Sequence, residues 1–269
     1  MGGLLGRGSR WMRRHLVALC AALALGFLFL PNVVVVAFSF NEPVGRFNYT
    51  WNAFTLDAWL HPCHSPGMCE ALGLSLRIGL LATLGATLLG TLVAFAIGRH
   101  RFRGRGTANT FIFLPMATPE VIMGSSLLAL FVNTRVPLGF WTILIAHVMF
   151  CLSFVVVTVK ARLSVLDPAL EQAAMDLYAT PLQSFVRITL PLALPGIVAA
   201  AMLAFALSFD DFIVTNFNSG SDVTFPMYVW GSAQRGTPPQ INVIGTAMFL
   251  VALLIVLVAQ LTTRRGRHR

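Results

Sequence analysis

The chain has 269 residues, 57% of them hydrophobic and only 11% charged, with a mean hydropathy of +0.77. Those values exclude a soluble globular domain, whose charged residues must cover its surface, and no polar stretch is long enough to form one beside a membrane part. The formal net charge of +9 calls for no nucleic-acid partner, because basic residues also set membrane topology and contact anionic lipid.

Leu16 to Phe38 is the first segment able to cross a hydrocarbon core of roughly 30 Å, for which about 20 helical residues suffice. Arg10, Arg13 and Arg14 precede it as in a secretory leader. Its apolar run exceeds a leader core of about 7 to 15 residues, and no small-x-small cleavage site follows, so a retained first helix is expected. The loop after it carries HPCHSPGMC. Cys63 and Cys69 there suit a small disulfide in an oxidising exterior, whereas Cys20 and Cys151 fall inside predicted spans. His61 and His64 lie beside the two cysteines, but closely spaced pairs in a Pro/Gly loop are too loose a pattern to assign a metal site.

The second span runs from Leu74 to Ile97, with Arg77 near its end, and is followed by RHRFRGRG. The third, Ala108 to Val132, contains Pro115 and Pro119. Pro119 has no N–H for the carbonyl of Pro115, which predicts a kink and a free acceptor. Glu120 follows directly, roughly 18 Å into the helix at 1.5 Å per residue. A carboxylate at that depth faces protein or water and is a functional candidate. The fourth span is Val136 to Val159. Lipid offers the backbone no hydrogen bonds, so all these spans are helices.

The connection from Lys160 to Pro191 reads KARLSVLDPALEQAAMDLYATPLQSFVRITLP. Asp167 as cap and Pro168 as first helical residue predict a helix start. Leu170, Ala173, Ala174 and Leu177 then form a small, apolar stripe flanked by Glu171 and Asp176. Such a stripe packs either on the chain's own helix ends or into a groove on another protein.

Gln172-Ala173-Ala174, Tyr178 and Ile188-Thr189-Leu190-Pro191 together resemble the cytoplasmic EAA loop of ABC-importer permeases, E-A-A-x3-G-x9-I-x-L-P. Gln172 stands at the family's Glu, with Glu171 adjacent, and Tyr178 stands at its Gly, a residue that reaches positive φ cheaply. The stretches LPMATPEVIMGSSLLALF, LSFDDFIVTNF and TFPMYVW look like the permeases of spermidine/putrescine ABC importers. This resemblance covers nearly the whole chain. It implies a second, homologous permease, two ATP-binding subunits docked on the EAA loops through Leu170, Glu171, Gln172, Ala173, Ala174, Leu177 and Tyr178, and an extracytoplasmic substrate-binding protein.

The fifth span, Leu192 to Phe217, holds Asp210 and Asp211, two of only ten acidic residues in the chain. Asp211 lies roughly 24 Å beyond Pro195 in a continuous helix. It shares a small, polar stripe with Ala204, Ser208, Thr215 and Asn218, as expected of a wall lining a water-filled path. Asp210 shares its stripe with Leu203, Leu207, Val214 and Phe217. Asp211 is therefore the expected cargo contact, and Asp210 either pairs with a donor on another helix or on the second permease, or joins the path. Phe209 and Phe212 could hold alkylammonium groups by cation–π contact. Tyr228 and Trp230 fit the membrane interface better. The sixth span is Ile241 to Leu261, followed by TTRRGRHR. Fifteen of the nineteen basic residues lie before the first span, in the two loops named above or after the last span. That distribution puts both termini in the cytoplasm.

The expected fold is an all-α integral membrane domain of six transmembrane helices over residues 1–269, with the bundle of a type I ABC importer permease, in a bacterial cytoplasmic membrane. No GxxxxGK[ST] phosphate loop is present, so ATP hydrolysis belongs to another chain and neither enzyme activity nor a cofactor is expected. The functional reading is a polyamine-importer permease with a path formed by Asp211, Glu120, Asp210, Phe209 and Phe212. Alternatives are an ABC permease for another organic cation, thiamine or a metal chelate, and a cation-coupled secondary transporter.

Overall fold

The structure is a computed structural model that describes residues 5–100 and 102–266, with side chains described over 15–100 and 102–257. The side chains of Arg7, Arg10, Arg13, Arg14, Arg101, Arg264, Arg265, Arg267 and Arg269 lie outside the described residues. In chain order the elements are α1 (Leu5–Phe38), β1 (Asn41–Glu42), β2 (Ala53–Phe54), α2 (Asp57–Leu60), α3 (Met68–Arg99), α4 (Arg105–Ala117), α5 (Glu120–Asn133) and α6 (Phe140–Ser164). They continue with α7 (Ala169–Asp176), α8 (Pro181–Ser184), a π-helical segment Phe185–Thr189, α9 (Leu190–Asp210), α10 (Ile213–Asn218), α11 (Phe225–Arg235) and α12 (Pro239–Gly266). Among the described residues, five helical stretches are long and apolar enough to cross a membrane, and α4 with α5 makes a sixth if the bent pair counts as one span.

Two of the six predicted spans are not continuous helices. α4 and α5 meet at 104° across Thr118 and Pro119, a full break where a kink was expected. Thr118 closes α4 by donating its N–H to Leu114 O (3.1 Å) and Pro115 O (3.4 Å), and its hydroxyl to Leu114 O (2.8 Å). The Pro115 carbonyl is therefore not the free acceptor anticipated from Pro119. The fifth span begins earlier than predicted, at Pro181, and ends at Asp210. Asp211 is extended (φ −65°, ψ 122°), and the chain resumes as the short α10. A capping aspartate side chain offers the backbone an alternative to the helical ladder, which is why the break falls there.

Contacts divide the chain into two units, Met1–Gly67 with Val229–Arg269, and Met68–Tyr228. In the first unit α1 packs on α12, with Phe29 and Phe249 edge to face at 6.3 Å. Apolar side chains from Leu16 to Val34 are exposed along α1, as lipid rather than water would require. β1 and β2 form a two-residue antiparallel ladder organised by buried Asn41. Its Nδ2 donates to Asn48 Oδ1 (2.6 Å) and Thr50 O (2.9 Å), and its Oδ1 accepts from Asn52 N–H (2.8 Å). Cys63 and Cys69 are disulfide-bonded, so they offer no thiolates, and His61 pairs with Asp57 at 3.0 Å.

The second unit has its core between α3, α6 and α9. Small residues allow the close approach. A Cβ on Gly90 of α3 would stand 2.7 Å from Val155 Cγ1 on α6. A Cβ on Gly196 of α9 would stand 2.5 Å from the Arg162 stem. From that position the Arg162 guanidinium donates to Leu192 O at 3.0 and 2.8 Å, tying the two ends of the 160–191 loop together.

Candidate functional site

At the α9–α10 break the two adjacent aspartates have opposite environments. Asp211 is buried. Its Oδ1 accepts from Val214 N–H (3.3 Å), and its Oδ2 accepts from the N–H (2.7 Å) and hydroxyl (2.8 Å) of Thr215. His147 of α6 stands with Nε2 3.3 Å from Asp211 Oδ2 and 2.8 Å from Thr215 Oγ1, and with Nδ1 2.7 Å from Ser208 Oγ. Asp210, the last residue of α9, is exposed. The sequence expectation is thus reversed in its geometry. The continuous stripe through Ser208, Asp211 and Thr215 does not exist as a wall, because the helix breaks at Asp211 and the polar side chains turn inward onto His147.

His147 escaped sequence analysis, although a lone histidine inside an apolar span demands a partner. It is fully enclosed at 2% exposure. Earlier on α6, Thr142 donates its hydroxyl to Asn218 O (2.7 Å), while Asn218 Nδ2 reaches Gly124 O on α5 (3.3 Å). Gly124 is where α5 and α10 meet, since a Cβ there would lie 2.8 Å from the Phe217 ring and 3.3 Å from Val214 Cα. The two short helices that follow the two breaks are therefore packed on each other.

Glu120 is exposed at the first position of α5. Phe209 is half-buried in an aromatic ladder, 5.9 Å from Phe205 and 6.2 Å from Phe225. Ser75 of α3 holds that ladder by accepting the Phe225 N–H at 2.8 Å. Phe212 is half-buried at the start of α10.

In the 160–191 connection α7 forms one residue later than expected, from Ala169 with Pro168 in the cap position, while Asp167 Oδ1 accepts from Ala169 N–H at 2.9 Å. The apolar stripe divides. Ala174 is buried at 7% exposure, while Leu170, Ala173 and Leu177 are exposed. Ala174 therefore packs on this chain and is not available to a groove elsewhere. Glu171 also turns inward, pairing with Arg99 of α3 (3.2 Å) and accepting from the Thr189 hydroxyl (2.8 Å). Gln172 remains exposed.

Tyr178 adopts φ +61°. Ala179 N–H reaches Ala174 O (3.1 Å) and Tyr178 N–H reaches Met175 O (2.9 Å), the paired bonds of a glycine-type helix terminus built on a tyrosine. The left-handed backbone costs a side-chain-bearing residue roughly 1–2 kcal/mol, and the 97% exposed ring has little packing to offset it. Tyr178→Gly is expected to raise thermal stability by about 1 kcal/mol with transport unchanged. A lower melting temperature would show that the ring contributes more than the strain it imposes.

The chain matches the family described as binding-protein-dependent transport system inner membrane component over residues 86–265 and belongs to that family. It is a multi-pass inner-membrane protein that works with a separate ATPase and a binding protein, and the cation-coupled secondary transporter is set aside. Among relatives, it is 36% identical over 243 residues to the spermidine/putrescine transport system permease protein PotC of Haemophilus influenzae, covering 90% of this chain and 94% of that one. It is 40% identical over 235 residues to the putrescine transport system permease protein PotI of Escherichia coli K12, covering 83% of each. Its fold is that of type I ABC importer permeases. It superposes on a chain of a bacterial alginate ABC transporter, solved with its pentasaccharide-bound periplasmic protein, with TM-score 0.68, 20% identity and 95% and 96% coverage. The methionine transporter MetNI gives TM-score 0.57, 16% identity and 75% and 98% coverage.

Proposed function

We propose that this chain is one of two homologous permeases in an ABC importer of spermidine and putrescine, acting as a single transmembrane domain with both termini in the cytoplasm. Asp210 carries the reading. It is a carboxylate at the C-terminal end of a membrane helix, where the helix dipole disfavours negative charge by roughly 0.3–1 kcal/mol. It is exposed in the single chain. Retaining an acid against both the dipole and the membrane makes sense where a cation passes. Glu120 adds a second exposed carboxylate at the other helix break, and the Phe205–Phe209–Phe225 ladder offers ring faces to alkylammonium groups. The names of the relatives support the same cargo.

Asp211 serves this path from behind, its carboxylate accepting N–H groups in the first turn of α10, and Phe212 directly precedes that helix. On the opposite end, Leu170, Gln172, Ala173, Leu177 and Tyr178 form the surface offered to the ATPase. Glu171 and Ala174 seat the coupling helix on its own chain.

The complex of this chain with its second permease, ATPase and binding protein, reconstituted in liposomes, should take up labelled spermidine only with ATP and binding protein present. Unlabelled putrescine should compete, and thiamine should not. Glu120→Gln should lower uptake severalfold at matched protein. Uptake of thiamine or a metal chelate with no polyamine uptake would overturn the cargo assignment while leaving the family intact.

A further inference from the structure

We propose that His147 is a positioning residue for the path. By holding Asp211 and Ser208 on either side of the helix break, it fixes where the neighbouring Asp210 carboxylate points. No resemblance or spacing assigns a role to this histidine. The claim rests on the reading of Asp210 as a path acid, but the geometry behind it is separate.

Ser208 is in the last turn of α9, Asp211 is the extended residue of the break, and Thr215 is in α10. His147, on α6, touches all three segments with one ring. With His147 neutral, one proton arrangement satisfies every member. Ser208 donates to His147 Nδ1, His147 Nε2–H donates to Thr215 Oγ1, and Thr215 donates to Asp211 Oδ2, which also takes the Thr215 N–H while Asp211 Oδ1 takes the Val214 N–H. His147, Ser208, Asp211 and Thr215 are all buried, so solvent offers them no substitute partners, and an alternative break geometry would leave several unpaired. Two consecutive residues in a break are coupled through one peptide plane. The peptide plane between them is set by the helical end of α9 and by φ of Asp211, and fixing both leaves Asp210 only its own side-chain torsions, so its carboxylate stays at the exposed rim of the break.

The same ring also ties the pair α5 and α10 to α6. Thr142 repeats the attachment one and a half turns earlier on α6 through Asn218 O, and Gly124 locks α10 to α5. Both helix breaks are therefore referred to α6, and His147 is the attachment nearest the acid.

The test uses the whole complex with Cys20→Ser as background and Asp210→Cys as a reporter. The reaction rate of that thiol with a charged, water-soluble maleimide reads its orientation without reference to any cargo. His147→Leu should change the rate at least about fivefold. His147→Gln, which can both accept from Ser208 and donate toward Thr215, should keep it within about twofold. With Asp210 restored, His147→Leu should raise the apparent KM for spermidine about tenfold at matched assembled protein and retained basal ATP hydrolysis. His147→Gln should recover most of that loss. If His147→Leu does not assemble, Ser208→Ala carries the same labelling arm, with the same expected change. Unchanged labelling in every variant, or a Gln variant as altered as the Leu one, would overturn the inference. A changed labelling rate in a complex that carries no polyamine would uphold it and overturn the cargo reading instead.

Discussion

Asp211→Asn and Asp210→Asn should fail in opposite ways. The Asp211 carboxylate uses both oxygens, one toward Val214 N–H and the other toward the N–H and hydroxyl of Thr215, with His147 Nε2 at 3.3 Å. Asparagine keeps one acceptor and turns an NH2 toward groups that are themselves donors. In a site with Asp211 8% and His147 2% exposed, leaving such partners unmatched costs about 3 kcal/mol, the upper end of the range for a lost hydrogen bond to a charged group. A loss of that size should appear as reduced assembly and a lower melting temperature in detergent. Asp210 makes no such contacts in the described structure and is exposed, so Asp210→Asn should leave assembly and melting unchanged while uptake falls tenfold or more. Equal stability of the two variants would remove the structural role of Asp211. Full uptake by Asp210→Asn would remove Asp210 from the path.

Reading the sequence as a continuous helix from Leu192 to Phe217 produced the opposite ranking of these acids, and the reason is physical. Periodicity reports which residues share a face only while the helix continues, and nothing in SFDDFIVTNF forbids helix in the way a proline does. The decisive partner, His147, lies 61 residues from Ser208, beyond the reach of any local pattern. The α4–α5 break was legible in part, because Pro119 announces itself. Its 104° angle was not, because Thr118 can close one helix while the proline opens the next. The apolar spans and α7 were legible, since burial and capping act over a few residues. In the stripe of α7 the spacing could not say which of two neighbouring alanines faces home. Tyr178 shows the converse case. Its backbone adopts the positive φ that the resemblance implied for a glycine, so the hydrogen bonds of the terminus outweigh the propensity of the residue.

Arginine placed at Ala173 and at Ala174 should therefore separate coupling from folding. Ala174 is buried against its own chain and its carbonyl accepts from Ala179 N–H at the turn. A long cation there must displace the helix or bury an unpaired charge, and α7 should detach. The Arg99–Glu171 pair and the Thr189 bond would be strained with it. Ala174→Arg is expected to lower the melting temperature of the isolated permease and to make the 165–180 segment sensitive to protease. Ala173 and Leu177 are exposed in the single chain. Ala173→Arg or Leu177→Arg should leave melting and proteolysis as in the parent, while binding of the ATPase falls at least tenfold and transport is lost, because a charge cannot enter an apolar groove unpaired. Pull-down of the ATPase, run beside thermal melting of the same preparations, reads both outcomes. Undiminished ATPase binding by both Ala173→Arg and Leu177→Arg would mean that the exposed half of the stripe is not the docking face, and Leu170 and Gln172 would then have to carry the contact from the other side of α7.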